Sequence, residues 1–534
     1  MEKLLVLLFL LFVLASCNNP FDNVINNDNN NTENNNNQEN AEKNINTTIT
    51  IIEMNDVHGY IMQDENKMLG LSNMAYLIDK IRQEKGEDHV LTIANGDMFQ
   101  GTGLVKMSYG EVMIDALSEM KLDACCLGNH EFDWDLPVIT KYFDGDKANG
   151  EANFPLINSN VYQDGKLLID DNIFETYMFE KAGLKIGFIG YIGDVKGSIN
   201  ALFANKYEFD CNFSTITKKL ATKLKQNGAD IIVVSIHDGA SGNNVQNFEF
   251  NKIVANLKGD DGNYLIDAVI NGHTHYYQEG YISRPNGPAM PVVQSSGYNS
   301  GYLYSFGRID LTIENNKVVS SNVSHLTAKS AGTNCNKGVQ DIIDQYYEKD
   351  KDILETVFTT STSFISRYDS NTYDWVSNVM LAATGADIVI CNTGGLRTNI
   401  NSGEIKFEDM YQFNPFDNKI IMHEVDAYLV NNFLDNNSDY YFWNYKDYKK
   451  TSGTYTVAII DYVYYSTYYR NVRTQKYYNT ELILRNLLIE DLSLRKTFNV
   501  ATDKEARIGL KVEKIIYTTS QFTYIDDKYY FIFV

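Results

Sequence analysis

Four apolar runs in the first half of the chain, Ile49 to Met54, Val90 to Ala94, Ile231 to Ile236 and Leu265 to Ile270, each stop at a short segment rich in His, Asp and Gly. Runs of this length closed by turn formers read as buried strands, so each polar segment falls in a loop at a strand's C-terminal end. The chemistry is therefore expected on the loops, because loops on a rigid sheet are where catalytic groups are held.

With a fifth segment after Cys125-Cys126, the set in order is Asp56-Val57-His58-Gly59, Gly96-Asp97, Gly128-Asn129-His130-Glu131-Phe132-Asp133, His237-Asp238-Gly239 and Gly272-His273-Thr274-His275. Singly each is weak, since Gly-Asp pairs are ordinary turn formers and a lone His after a strand is commonly structural. Jointly they are hard to dismiss, because five of the eight histidines lie inside them. Imidazoles mixed with carboxylates and an amide oxygen suit divalent Zn, Mn, Co or Fe, whereas an oxygen-only set favours Mg or Ca. One carboxylate between two such clusters can bridge two ions, and ions about 3.5–4 Å apart stabilise the attacking and leaving oxygens of a phosphoryl displacement. The residues therefore point to hydrolysis.

The motif set resembles the calcineurin-like metallophosphoesterases. Its spacing and the flanks Gly96-Asp97-Met98-Phe99-Gln100-Gly101 and Pro291-Val292-Val293-Gln294-Ser295 are similar to the bacterial 5′-nucleotidase and nucleotide-sugar hydrolase family, over most of residues 48 to 330. The resemblance implies that Asp56, His58, Asp97 and His275 hold one metal ion and that Asp97, Asn129, His237 and His273 hold the other, with Asp97 as the bridge. It also implies that His130 stabilises or protonates the reacting phosphate while Asp133 orients it. The residue types agree: a His three residues from an Asp in one tight turn can be held in one tautomer and kept partly charged, as general acid chemistry requires. The implied fold is a four-layer α/β/β/α sandwich followed by a smaller α/β substrate-binding domain.

The boundary of that second domain is marked by the polar stretch Ala331 to Gly338 and the charged, amphipathic Val339 to Leu354, which predicts a linking helix. Beyond it, the Ala386 to Cys391 strand runs into Asn392-Thr393-Gly394-Gly395-Leu396-Arg397, which resembles the family's substrate loop. Asn392, Gly394, Gly395 and Arg397 are the expected substrate contacts; the glycines let backbone amides approach a ligand, and Arg397 can fork onto a phosphate or carboxylate. Asn414-Pro415-Phe416 resembles the loop that carries one of two aromatics stacking on a nucleobase, so Phe416 is the expected stacking face. Then the pattern breaks. Where the family has Gly-Gly-Asp-Gly before the second aromatic, this chain has Ser466-Thr467-Tyr468-Tyr469, and Asn371-Thr372-Tyr373-Asp374 replaces an Asn-Leu-Gly-Asn helix opening. These departures bear on substrate choice and leave the metal ligands intact. Most tyrosines between Tyr440 and Tyr478 are expected in strands and core, with a rebuilt stacking wall as the alternative.

At the other end, Leu4 to Leu14 is apolar but too short to span a bilayer, and Leu14-Ala15-Ser16-Cys17 resembles a bacterial lipoprotein processing site. The expected organisation is a signal peptide over 1–17 with Cys17 lipidated, and an Asn-rich tether over 18–47 that lacks the apolar surface to fold. The phosphoesterase domain is expected over 48–330, a linker helix over 331–357 and the substrate domain over 358–534. This places the protein outside the cytoplasm, lipid-anchored to a bacterial membrane. The formal charge of −23 argues against nucleic acid polymers as partners. Two divalent cations and a few arginines can still reverse the potential locally for a small anion. The five cysteines other than Cys17 show neither disulfide nor CxxC metal spacing. The expected reaction releases phosphate from nucleoside 5′-monophosphates or related nucleotides. A phosphodiesterase or nucleotide-sugar hydrolase is the alternative among enzymes, and a non-catalytic surface binding lipoprotein is the alternative outside them.

Overall fold

The computed structural model describes residues 44–62, 70–295 and 305–512. The expected signal peptide, Cys17 and most of the expected Asn-rich tether lie outside the described residues. The first strand, Thr47–Met54, shows why an unbroken apolar run forms the centre. Ile49 and Ile51 face one core while Ile52 and Met54 face another, so both sides of the strand are buried. It pairs in parallel with Val90–Asn95, which pairs in parallel with Ala124–Cys126, and antiparallel with Ser305–Glu314, within a seven-stranded sheet.

A six-stranded sheet packs against the first. Its parallel centre is Leu184–Ile192, Ile231–His237, Ala268–Ile270 and Met290–Gln294, with antiparallel edges at Gln278–Ile282 and Thr176–Lys181. Ile51, Ile93, Phe188, Val233 and Ile270 fill the space between the sheets. Helices Leu71–Lys85 and Glu111–Glu119 cover the outer face of one sheet, and Phe213–Gln226 and Glu249–Ala255 cover the other. The result is the α/β/β/α arrangement the motifs implied. Only Ala268–Ile270 of the Leu265 to Ile270 run is strand, because Leu265 N–H donates to the Leu257 carbonyl and the entry turn takes the first residues.

The Lys337–Leu354 helix opens on Asn336, whose side chain accepts from the Val339 amide. Far from spanning open solvent, it buries Val339, Ile343 and Leu354 in the core of the first sheet's helices, and Tyr346 donates to Asp115 at 2.7 Å. The second domain has a five-stranded sheet in the order Tyr441–Tyr445, Ile388–Asn392, Thr454–Ile460, Lys419–Asp426 and Tyr477–Ile483. Helices Ser370–Thr384 and Leu484–Ser493 pack on its core. The tyrosines divide: Tyr441, Tyr455, Tyr464 and Tyr469 are buried, whereas Tyr440, Tyr448 and Tyr468 are exposed. Tyr469 lies in the segment that departs from the family pattern, and its hydroxyl pairs with His423 Nε2 at 3.0 Å.

One buried acid at the junction between the domains is expected to make its stability depend on pH. Glu408, on the Phe407–Phe413 helix, lies beside the Gly103 and Leu104 amides, and its Oε1 accepts from Gln412 at 2.8 Å while Oε2 is buried without a hydrogen bond. Burial pushes its carboxyl up to about 7. An unfolded Glu titrates near ~4.3, so the folded state holds this proton more tightly. The associated stability is complete below about pH 4.3 and lost as pH rises through about 7. Glu408→Gln is expected to flatten Tm across that window and to raise Tm by a few degrees at mildly alkaline pH, read by thermal unfolding.

Candidate active site

All five motif segments gather where the parallel strands of the two sheets end. The backbone there is strained: Asp56, His58, Asp97, His273 and His275 have φ of 53°, 49°, 54°, 68° and 58°. For residues with a Cβ this left-handed region costs on the order of 1 kcal/mol each, and such strain persists at sites where geometry is over-determined. Gly96 takes φ +81°, and a Cβ at Gly128 would stand 2.4 Å from Asp97 Oδ1 and 2.8 Å from His237 Nε2. Glycine at 128 is what permits that approach.

Two groups of side chains result. Asp56, His58, Asp97 and His275 bring one ligand atom each within 4.8 Å of one another, and so do Asp97, His237 and His273. Asp97 belongs to both. Its Oδ1 accepts the His130 amide at 2.7 Å, which leaves Oδ2 between His237 Nε2 at 3.1 Å and His58 Nε2 at 3.8 Å. Asp56 Oδ1 lies 3.1 Å from His275 Nε2. Asn129 Oδ1 is 2.8 Å from His273 Nδ1, which adds the amide oxygen to the second group.

Neighbours fix which ring nitrogen faces inward. A carbonyl only accepts, so His237 Nδ1 donates to Asn95 O at 2.6 Å and His58 Nδ1 donates to Gln100 O at 3.1 Å. Both rings thereby turn Nε2 toward the carboxylates, the arrangement of metal-ligating histidines held by backbone oxygens. The residues fit a pair of divalent ions. Asp56 Oδ1, Asp97 Oδ2 and His237 Nε2 are buried without a hydrogen bond of normal geometry. Such orphans are costly unless something binds them.

Charge tells the same story. Burial would raise the Asp97 carboxyl, yet His237, His130 and His58 hold it well below the usual carboxylate range. Asp56 follows the same pattern, with burial opposed by His275 and His237. Burial would lower His237, but Asp97 and Asp56 push it up to about 10. Two ionised carboxylates this deep need positive charge beside them, which the imidazoles supply here and divalent ions would supply when bound.

Beside them stands the dyad. His130 Nδ1 and Asp133 Oδ2 are 2.7 Å apart, and although burial opposes protonation of His130, Asp133 and Asp97 raise its pKa above the ordinary histidine value. The His130 ring lies 4.9 Å from His58 and 5.8 Å from Phe416, the latter stacked at 27°. Phe416 therefore reaches the dyad from the second domain. The Arg397 guanidinium lies 5.9 Å from the Phe416 ring and is near enough to oppose protonation of His58 and His130. Asn392, Gly394 and Gly395 belong to the turn that carries Arg397. Asn414 Nδ2 donates to Gly395 O, and Arg397 N–H to Phe413 O, each at 2.8 Å, so the two expected substrate loops brace each other. Arg367 donates to the carbonyls of Leu396 and Arg397, holding the same turn.

Sequence reasoning passed over several residues. The Glu131 carboxylate accepts from the Asp97 and Met98 amides at 2.8 Å and the Gly128 amide at 2.6 Å, stapling two motif loops together. Burial and Asp97 push its pKa up to about 7. Asn95 joins the sheets by donating to Ile236 O at 3.0 Å, and Asn55 donates to Asp56 Oδ2. Each sits inside or next to a motif, which was the available signal. Tyr462, whose hydroxyl reaches Gly197 O at 3.4 Å and whose pKa is raised by burial and Asp133, lacked any such signal.

Comparison with known proteins agrees with this geometry. The calcineurin-like phosphoesterase family profile matches residues 49–277, and the 5′-nucleotidase C-terminal domain profile matches 355–504. Similar curated proteins include Protein UshA of Yersinia enterocolitica, 24% identical over 445 residues covering 74% of this chain and 76% of that protein. A 5′-nucleotidase of Vibrio parahaemolyticus is 25% identical over 441 residues, with 74% and 76% covered. Among solved structures, a 5′-nucleotidase precursor from Thermus thermophilus shares the fold with a TM-score of 0.69 and 17% identity, covering 88% of this chain and 100% of that one. The chain is a metallophosphoesterase-type hydrolase in which a calcineurin-like phosphoesterase domain is followed by a 5′-nucleotidase C-terminal domain, and its His/Asp cluster suggests a two-metal site.

Proposed function

We propose that the enzyme releases phosphate from nucleoside 5′-monophosphates. The supporting observation is the convergence of Arg397 and Phe416 from one domain on the His130–Asp133 dyad of the other. Asp56, His58, Asp97 and His275 would hold one divalent ion and Asp97, Asn129, His237 and His273 the other, with Zn, Mn, Co or Fe suited to the mixed nitrogen and oxygen donors. Such ions supply Lewis acidity toward a phosphoryl oxygen and make water a better nucleophile. Asp133 keeps the His130 imidazole oriented and proton-rich, so His130 can donate to a phosphoryl or leaving-group oxygen. Arg397 would pair with the phosphate, and Phe416 would pack on the base.

Residues 1–17 would form a lipoprotein signal, Cys17 would carry the lipid and 18–47 would act as a tether. The remaining domain limits are proposed at 48–330, 331–357 and 358–534. An extracytoplasmic location is supported by likeness to a cell wall protein of Listeria monocytogenes, 23% identical over 408 residues. No helix among the described residues is long and apolar enough to cross a membrane.

The test is product analysis with a nucleoside 5′-monophosphate, a cyclic nucleotide, a nucleotide sugar and a small alkyl phosphate. Preferred release of phosphate from the monophosphate is expected, and Phe416→Ala should raise its KM about ten-fold with little effect on the alkyl phosphate, as loss of one stacking face implies. Preferred cleavage of the diester or the nucleotide sugar would refute the substrate assignment.

A further inference from the structure

A group of charges, with Lys106 and Arg485 buried and Asp417 one-third exposed between them, ties the two domains together next to the dyad. Lys106, on the short Gly103–Met107 helix, has a side chain 8% exposed, and its Nζ lies 2.9 Å from Asp417 Oδ2. Asp417 directly follows Phe416, and its Oδ1 accepts from Arg485 Nη2. Arg485, 4% exposed on the Leu484–Ser493 helix, also donates to the carbonyls of Asn414 at 3.1 Å and Phe416 at 3.3 Å. Arg485 thus grips the backbone on either side of Pro415, while Asp417 carries that grip across to the phosphoesterase domain.

The far end of the group is equally well placed. Lys106 Nζ lies 4.6 Å from the Tyr109 ring centre and 5.1 Å from that of Trp134, and Trp134 directly follows Asp133, the partner of His130. Burial would raise the Asp417 carboxyl, but Arg485 and Lys106 hold it well below the usual carboxylate range. Ion groups of this kind are poor sources of net stability, because desolvation offsets much of their attraction; they do define one geometry. The geometry defined here is the seat of Phe416 over His130.

We propose that Lys106, Asp417 and Arg485 are positioning residues that register the substrate domain on the phosphoesterase domain. By fixing the Phe416 ring relative to His130, they set the preference for esters bearing an aromatic base over small ones. The proposal rests on the reading of Phe416 as a substrate contact. None of the three touches the reacting atoms, and an error of about 1 Å in placing a substrate-holding group costs on the order of 10²-fold in rate.

The test uses the full chain. Lys106→Met keeps the aliphatic stem between Tyr109 and Trp134 and leaves Asp417 paired with Arg485, so the fold should survive; thermal unfolding checks this. In Lys106→Met, kcat/KM for a nucleoside 5′-monophosphate should fall at least about ten-fold while that for a small alkyl phosphate stays within about two-fold. Lys106→Arg should restore most of the preference. Hydrogen exchange over residues 412–418 should rise in Lys106→Met and return in Lys106→Arg. Parallel loss on both substrates, unchanged preference, or unchanged exchange would each overturn the proposal. If the wild type does not hydrolyse the nucleotide at all, the nucleotidase reading fails, and the exchange measurement still decides whether Lys106 holds the Phe416 loop.

Discussion

Asp97→Asn is expected to lower kcat/KM for phosphate release by more than about 10²-fold. Removing a neighbour that merely orients a metal ligand already costs about 10–100-fold, and Asp97 is shared by both ligand groups. The replacement is isosteric, so the close approach of Gly128 and the hydrogen bond from the His130 amide can persist. What disappears is the charge at Oδ2, the atom lying between His237 and His58. Steady-state kinetics on the reconstituted enzyme, beside a thermal unfolding curve showing an intact fold, measure the effect. A loss under about ten-fold would remove Asp97 from its bridging place.

His130→Ala should act through a different link. Its side chain stands outside both ligand groups, so metal content should stay at the wild-type level while kcat falls about 10²–10⁴-fold, the usual contribution of a positioned acid or base. Asp133→Asn keeps the hydrogen bond's length scale but removes the charge that favours imidazolium, and should cost less than loss of the ring itself. Equal metal content with a ranked loss, His130→Ala below Asp133→Asn below wild type, supports the dyad. Loss of metal in His130→Ala would make the residue a ligand or a strut instead.

The catalytic half of this protein was legible because its chemistry is local. A strand buried on both faces writes a continuous apolar run, and a loop that must turn sharply beneath a cluster of His and Asp side chains writes Gly beside Asp or His, so Gly96-Asp97 and Gly272-His273 could be found in order along the chain. Glu131 could be seen but not understood. Its three amide partners come from two loops, and no spacing rule encodes that staple. The ion pair at the domain junction was illegible: Lys106 and Asp417 are 311 residues apart, and each reads as an ordinary surface charge until the fold brings them together. Tyr469 misleads in the opposite sense, since it stands where the family pattern places a ligand loop yet lies inside the core against His423. Arg397 and Phe416 were legible only through their motifs, because nothing in composition tells a surface Arg from one turned toward the His130–Asp133 dyad.

The central claim is that Asp97 joins two clusters of side chains into one two-ion centre. Elemental analysis of chain stripped and reloaded with Mn, Co or Zn, in wild type and Asp97→Asn, tests it most directly when phosphate release is followed in the same samples. Two ions per chain in the wild type, with less than one ion per chain and no measurable release in Asp97→Asn, is the expected result. Two tightly held ions in the variant, or full turnover by the stripped wild type, would contradict it.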